Sequence, residues 1–265
     1  MPRKHRSLMQ QSYDDLKRRI ITLELKPGQR LDDYELSMAL NFSRTPVREA
    51  IFRLGAEGWV DVNSKAGFIV RSLDLDDIAH LCEARVVLSK AVARFAAQRA
   101  KPDEIDAMHV VAQEVEEAID RRDYLAITDA NARLHRLEAA SSHNTIIETM
   151  SQTVYDQGQR LAYLCFGGAG AGHHLEGHFE TVVSQHRAMI SALAAGDAQA
   201  AEAVALEHVR LFRRRVQDYI AAEIDCGLTD EDLAGIAFPG AGSPSAAVPR
   251  TQRSIGAPGR DDQSR

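Results

Sequence analysis

The chain has 265 residues, 45% of them hydrophobic, and its 32 Lys and Arg against 38 Asp and Glu give a formal net charge of -6. This length favours two domains, since a domain typically takes roughly 100 to 200 residues. Its apolar stretches fall short of the ~18 residues that cross a membrane, and Cys82, Cys165 and Cys226 stand in none of the spacings of zinc or redox sites. We therefore expect a cytoplasmic protein with reduced thiols and no membrane segment.

The charge is distributed unevenly along the chain. Residues 1–72 contain 13 Lys and Arg against 9 Asp and Glu, a net charge of +4, whereas the later residues contain 19 against 29, a net charge of -10. A basic module therefore precedes an acidic one, and the basic module is compatible with a nucleic-acid partner despite the negative total.

The first 72 residues are predicted to form three short helices and a β-hairpin. The helices are expected over 8–25, ended by Lys26-Pro27-Gly28, from Asp32 or Asp33 to Asn41, and from Ser43 onward. Two β-prone runs follow at 59–62 and 68–70, with turn residues between them. This order is typical of a winged helix-turn-helix, in which the hairpin forms the wing.

The rest of the chain is predicted to be almost entirely helical up to a polar tail. Its periodicity indicates six helices, over 75–99, 103–121, 124–140, 144–165, 176–195 and 197–224. Past Gly227 the chain is rich in Gly, Pro, Ser and Ala, which indicates disorder. We therefore predict a mainly α protein with a winged helix-turn-helix at 1–72, an all-α antiparallel helical bundle at 73–225 and a disordered tail at 226–265.

The start of the third helix is a candidate DNA-binding surface. Arg44 and Arg48 are four residues apart and share one helix face, with Thr45 beside them. Arginine pairs with guanine edges or clamps phosphates, and the backbone amides of a first helical turn favour a phosphate. Lys65 at the wing tip could reach an adjacent phosphate. Taken alone, two arginines on one turn are more often a solvated face.

Four polar residues interrupt the apolar stripes of the helical part. His186 and His208 each stand among apolar residues at helical spacing, and Asn131 and His135 are four residues apart on a third helix. A single inward histidine is usually a hydrogen-bonded core residue, whereas three on separate helices with an Asn indicate a site. Neutral imidazoles with one oxygen donor suit Zn²⁺, Ni²⁺, Mn²⁺ or a related divalent ion and leave coordination positions open.

Arg85 occupies an apolar stripe where a hydrophobic residue is expected, and a buried guanidinium must find an anion. The partner is either an internal carboxylate, Glu83 or Glu138, or a carboxylate supplied by a ligand. A further group, His173, His174 and His178, lies in or just after a Gly-rich loop at 167–172. We expect these three histidines to belong to a solvated loop, and the alternative is an accessory metal patch.

Several motifs together resemble the GntR superfamily of regulators, in the branch with an FCD ligand-binding domain. They are Lys26-Pro27-Gly28-Gln29-Arg30-Leu31, Tyr34-Glu35-Leu36, Ser43 to Ala50, Arg53-Leu54, Glu57-Gly58-Trp59 and Gly67-Phe68-Ile69-Val70. The resemblance runs from about Tyr13 to about Tyr219. It implies that Ser43, Arg44, Thr45 and Arg48 contact DNA and that the wing near Lys65 to Gly67 follows the backbone or minor groove. Tyr34 stands where some relatives carry another DNA-contacting arginine.

In the helical part the same resemblance implies a metal site and an effector site. The implied metal ligands are Asn131, His135, His186 and His208, with Asn131 where many metal-binding relatives have Asp, so that the site loses a negative charge. The resemblance also assigns an effector carboxylate to Arg85. Ser89 stands where relatives often have a Glu four residues after that Arg.

These features predict a homodimeric transcription regulator, of the repressor type, that binds double-stranded operator DNA and responds to a small organic acid next to a divalent metal. A metal-free polar effector pocket is the alternative for the helical part. A metalloenzyme is disfavoured because the sequence has no HExxH, no ExxH repeat and no evident Glu or Asp base at fixed spacing from the histidines. A metal-storage or purely structural DNA-binding protein would leave Arg85 without a purpose.

Overall fold

The structure is a computed structural model that describes residues 6–63, 67–72, 74–167, 175 and 177–225, with side chains described up to residue 221. Lys65 at the predicted wing tip, His173 and His174, and the predicted tail at 226–265 lie outside the described residues. In the described part, no helix is both long enough and apolar enough to span a membrane.

The N-terminal part has the predicted order of a winged helix-turn-helix. Its elements are α1 (Leu8–Ile21), β1 (Arg30–Leu31), α2 (Asp33–Leu40), α3 (Arg44–Ala56), β2 (Val60–Asn63) and β3 (Gly67–Val70). The predicted hairpin forms, with Val60 opposite Val70. The two-residue strand β1, which was not predicted, pairs antiparallel with β3 and gives the sheet order β1-β3-β2. The three helices and the sheet enclose one core.

The helix ends follow local sequence signals, with one correction. Asp32 is the N-cap of α2, and Asn41 ends that helix in the left-handed conformation at φ 55°. Ser43 takes the N-cap position of α3, although its side chain makes no capping hydrogen bond. Helix α1 ends at Ile21 instead of continuing to 25, because Leu23 has φ 62° and the chain then turns Leu25 into the core.

The remaining described residues form six helices close to the predicted ranges. They are α4 (Leu75–Arg99), α5 (Pro102–Asp120), α6 (Tyr124–Ser141), α7 (Thr145–Cys165), α8 (His178–Ala194) and α9 (Ala198–Asp225). Their apolar stripes pack together as the 3.6-residue period requires, with Leu134 of α6, Ile190 of α8 and Val216 of α9 fully buried.

Helix α7 joins the helical part to the winged helix-turn-helix. Lys17 of α1 forms an ion pair with Asp156 of α7 at 3.3 Å. Arg160, also on α7, donates from Nη1 to the backbone oxygen of Arg71 at 2.9 Å. Residues Met1–Glu223 form one compact unit, and the predicted boundary at 72/73 stays a prediction.

Candidate metal and ligand site and candidate DNA interface

Three helices of the bundle each bring one histidine to a common point. His135 lies on α6, His186 on α8 and His208 on α9, and one ring nitrogen of each lies within 4.8 Å of the others. His135 and His186 are buried and His208 is partly buried. The helical periodicity that points each side chain inward therefore also brings the three rings together.

Neighbouring side chains hold two of these rings in place. Nδ1 of His135 is hydrogen-bonded to Oε2 of Glu138 at 2.9 Å, and Nδ1 of His208 to Oε1 of Gln185 at 2.9 Å. A carboxylate on Nδ1–H fixes the tautomer and leaves a lone pair on Nε2, which is the usual support of a metal-ligating histidine. Nε2 of His135 is buried and has no partner among the described residues.

Neither of these supports is predicted by the sequence analysis above. Glu138 enters it only as a partner of Arg85, although Glu138 stands three residues after His135 on the same helix face. That spacing is a usable signal, because residues three apart on a helix are neighbours. Gln185 gives no such signal, because it reaches His208 from another helix.

His186 and His208 are neutral near pH 7. Burial, together with the nearby His135, lowers the pKa of His186 to about 3. Burial and the neighbouring His186 also lower the pKa of His208 well below its ordinary value. Neutral rings keep a lone pair, which a metal ion requires of an imidazole ligand.

Asn131 lies one turn before His135 on α6, and its Oδ1 is buried without a partner among the described residues. Nε2 of His186 is orphaned in the same way. An unpartnered buried polar atom costs free energy, and folded proteins contain few of them. Three nitrogen donors with one oxygen donor match the ligands that divalent transition ions take, so these residues fit a metal ion.

Arg85 on α4 is 4% exposed. Its guanidinium lies over the ring of Phe212 at 4.1 Å and that of Tyr155 at 5.0 Å, and its Nε is buried with no partner among the described residues. It forms no ion pair with any described residue, so the internal salt bridge to Glu83 or Glu138 is wrong, because Glu83 is exposed and Glu138 is bonded to His135. Burial lowers the pKa of Arg85.

Two small cavities of about 20 Å³ each adjoin the histidines. His135 and His186 line the first, Arg85 and Asn131 line the second, and His208 lines both. A volume of this size holds about one water molecule. The candidate metal ligands and Arg85 therefore border two small cavities that share His208.

His178 also lines the second cavity, which corrects its prediction as part of a solvated loop. It is the first residue of α8, its Nε2 is buried without a partner in the described part of the chain, and burial lowers its pKa to about 4. The sequence carried a signal for this, because His178 stands eight residues before His186, with the buried Val182 midway.

The predicted DNA-contacting residues of α3 lie on its exposed face. Ser43, Arg44, Thr45 and Arg48 are all exposed, and Val47 on the opposite face is fully buried. At the start of β3, Gly67 has φ 79°, a conformation that favours glycine, and packs near Arg30. The structure thus presents four of the predicted contacts on one helix start, with Gly67 on the wing strand.

Asp33, predicted from the sequence only as a possible helix cap, contacts both arginines. Its carboxylate lies 2.7 Å from Nη2 of Arg44 and 3.6 Å from Nη1 of Arg48. The guanidinium of Arg48 also lies 5.7 Å from the ring centroid of Phe52 and 5.9 Å from that of Phe68.

Comparison with known families matches both parts of the chain. Residues 8–70 match the family of bacterial regulatory proteins called gntR, and residues 80–211 match the FCD domain. The chain is 26% identical over 199 residues to the uncharacterized HTH-type transcriptional regulator YdhC of Bacillus subtilis, which spans 75% of this chain and 86% of the relative. It is 25% identical over 225 residues to the HTH-type transcriptional repressor RspR of Escherichia coli, spanning 81% and 94%.

A solved structure, E. coli McbR/YncC, shares the fold with a TM-score of 0.67 at 20% identity, over 82% of this chain and 99% of that chain. The relatives named above are transcriptional regulators and not enzymes, in agreement with the prediction from the missing catalytic motifs. The chain is a transcriptional regulator that belongs to the GntR family and carries an FCD domain after its DNA-binding helix-turn-helix.

Proposed function

We propose that a small carboxylate, bound next to a divalent metal ion in the FCD domain, controls the affinity of this regulator for operator DNA. The observation that carries the proposal is a set of buried atoms for which the described residues provide no partner: Nε2 of His135 and of His186, Oδ1 of Asn131 and Nε of Arg85. A core that served stability alone would pair or replace such atoms, because each of them costs free energy.

In this proposal His135, His186, His208 and Asn131 hold the metal ion. Glu138 and Gln185 orient two of the rings through their hydrogen bonds to Nδ1. The ion would supply a Lewis-acidic centre that attracts carboxylate oxygens. Because Asn131 is neutral where many relatives have an Asp, we expect weaker metal binding than a carboxylate ligand would give.

Arg85 would bind the carboxylate of the effector. Its guanidinium faces the second cavity, and the described part of the chain gives it aromatic faces but no anion. A carboxylate is the natural partner of such a group, since two parallel N–H···O bonds fit its geometry. A ligand that bound both the metal and Arg85 would be a small organic acid.

Helix α7 offers a path from this site to the DNA-binding part. Tyr155 of α7 stacks on the ring of His135 at 4.7 Å, while the next residue, Asp156, pairs with Lys17 of α1 and with Arg136. Ligand binding that moves Tyr155 would therefore change the contacts of Asp156. A ligand acts only through unequal affinity for two arrangements, with a coupling typically of ~1 to 3 kcal/mol.

On the DNA side, we propose that Ser43, Arg44, Thr45 and Arg48 contact the operator and that the wing at Lys65 and Gly67 follows the backbone or minor groove. A homodimer would place two such helices on a pseudo-palindrome. Exposed apolar residues of the helical domain, such as Val87 and Ile146, offer surface for pairing. Because the related RspR is named a repressor, we propose that this chain represses transcription.

The test combines calorimetry with operator binding. The wild type, Arg85→Ala and His186→Ala are titrated with Zn²⁺, Ni²⁺ and Mn²⁺ and with a panel of small mono- and dicarboxylates, and DNA affinity is measured with and without each acid. We expect His186→Ala to lose metal binding and Arg85→Ala to lose the carboxylate response. Acid binding that survives metal chelation supports the metal-free pocket, and a full response in Arg85→Ala excludes its role as carboxylate anchor.

A further inference from the structure

We propose that Asp33 is a positioning residue that sets the base specificity of α3 by holding Arg44 and Arg48 in one arrangement. One oxygen of its carboxylate meets Nη2 of Arg44 at 2.7 Å, and the other lies 3.6 Å from Nη1 of Arg48. This inference rests on the proposed DNA contacts of the two arginines. It adds a residue that itself needs no contact with a base.

Asp33 is the fixed member of this group, and the arginines are the outer members. It is the first residue of α2, where Asp32 caps the helix by accepting from the backbone N–H groups of Tyr34 and Glu35 at 2.8 and 3.1 Å. The Asp33 side chain is 11% exposed, whereas those of Arg44 and Arg48 are 58% and 55% exposed. The carboxylate therefore lies beneath two guanidiniums that face solvent.

This arrangement affects binding more than folding, because ion pairs with exposed members contribute little to stability. A free arginine side chain loses conformational freedom when it docks on a base, and ordering it beforehand removes part of that cost. Each guanidinium has five N–H donors, so donors remain for guanine O6 and N7 after one contacts Asp33. Phe52 and Phe68 restrain Arg48 further.

The negative charge of Asp33 acts on specificity in a second way. A carboxylate beside the two arginines repels DNA phosphates and partly neutralises the arginines, so that binding which depends on phosphates alone is weakened. Contacts with the correct bases offset this repulsion in specific complexes only. Repulsion of unwanted ligands is a common source of specificity.

The test compares Asp33→Asn and Asp33→Glu with the matched control Glu35→Gln. Glu35 lies on the same helix, is exposed, and makes no ion pair with a residue that the structure describes. The probes are a duplex that the full-length wild type selects from a random-sequence library and a scrambled duplex of the same length and composition. Affinity for both is measured over a range of salt concentrations, and circular dichroism checks folding.

For Asp33→Asn we expect tighter binding to the scrambled duplex, a steeper salt dependence on it, and a ratio of specific to non-specific affinity reduced about tenfold, since two side chains lose their ordering. A library selected by Asp33→Asn should lose preference at the base positions that Arg44→Ala and Arg48→Ala also lose. Glu35→Gln should strengthen binding to both duplexes alike and keep the ratio, and Asp33→Glu should restore most of it.

The inference would be overturned if Asp33→Asn kept both its ratio of specific to non-specific affinity and its base preference. It would also be overturned if Glu35→Gln reduced that ratio as much as Asp33→Asn does. If Asp33→Asn folds poorly, Asp33→Ser takes its place. In Asp33→Ser, a reduced ratio with base preference lost only at the Arg44 and Arg48 positions supports the inference, and a wild-type ratio or a uniform loss of affinity overturns it. If Arg44→Ala and Arg48→Ala themselves leave the base preference intact, the proposed DNA contacts of these arginines are wrong. This outcome distinguishes a failure of the proposed function from a failure of the role inferred for Asp33.

Discussion

Replacement of Arg85 by methionine should stabilise the ligand-free protein while abolishing its response to carboxylates. Arg85 is 4% exposed and its Nε has no partner among the described residues. An unpaired buried charge costs several kcal/mol even after relaxation. The faces of Phe212 and Tyr155 return ~1 to 2 kcal/mol each. The difference favours Arg85→Met by about 1 to 3 kcal/mol in the free energy of unfolding, since methionine fills similar space without the charge.

Arg160 provides the matched control for this substitution. It is 5% exposed, but its Nη1 donates to the backbone oxygen of Arg71 at 2.9 Å. Arg160→Met removes that hydrogen bond and leaves a carbonyl without its partner, which should lower the free energy of unfolding by about 1 to 3 kcal/mol. Both variants remove a guanidinium from an equally buried position. Opposite signs of the change in the free energy of unfolding would therefore show the effect of a missing hydrogen-bond partner.

The assay is urea unfolding followed by circular dichroism, at one protein concentration, with and without the carboxylates that stabilise the wild type. A bound ligand raises the free energy of unfolding according to its concentration and Kd, so loss of binding appears as loss of that increment. We expect Arg85→Met to show a higher ligand-free stability and no increment. Destabilisation of Arg85→Met to the same extent as Arg160→Met would refute the reasoning, because it would make Arg85 a structural residue.

Three further outcomes are expected. Arg44→Ala and Arg48→Ala should each weaken operator affinity by about 1 to 3 kcal/mol in gel shifts, and unchanged affinity in both would exclude α3 as the reading surface. The pKa of His186 is about 3 in the folded chain and ~6.5 in an unfolded one. The unfolded chain therefore binds the proton more readily than the folded chain. The metal-free protein should have its full stability above pH 6.5, and its free energy of unfolding should fall by up to ~1.4 kcal/mol per pH unit on acidification below that pH. His186→Ala should show a flatter pH profile in the same denaturation experiments. Light scattering should give a dimer at micromolar concentration. A monomer, both in the presence and in the absence of DNA, would contradict this prediction.

The elements that the sequence predicted well are those with local signals. Helix periodicity and capping residues such as Asp32 and Asn41 act within one or two turns, so the α helices and the wing hairpin could be placed from the sequence. Strand β1 could not, because two residues at Arg30–Leu31 form a strand only by pairing with β3 nearly forty residues later. The early end of α1 depends likewise on the burial of Leu25 in the core.

The same distinction applies to the site. Inward polar residues at helical spacing, Asn131 with His135 on α6 and His186 on α8, could be recognised because periodicity assigns each to a buried face. Which residues support them depends on how the helices pack, and so Gln185 beside His208 was not foreseen. His178 was misassigned because the Gly-rich segment before it suggested a solvated loop, whereas α8 begins at that residue.

The other buried arginines of the described chain differ from Arg85 in their hydrogen-bond partners. Arg160 donates to the backbone oxygen of Arg71, and Nε of Arg215 donates to that of Cys165 at 2.9 Å. In both cases a backbone carbonyl accepts from the buried guanidinium. Arg85 is buried as deeply, but the described residues give its guanidinium aromatic faces and no ion pair. Because an arginine in a protein cannot escape this cost by losing its proton, we propose that its partner is the carboxylate of the effector.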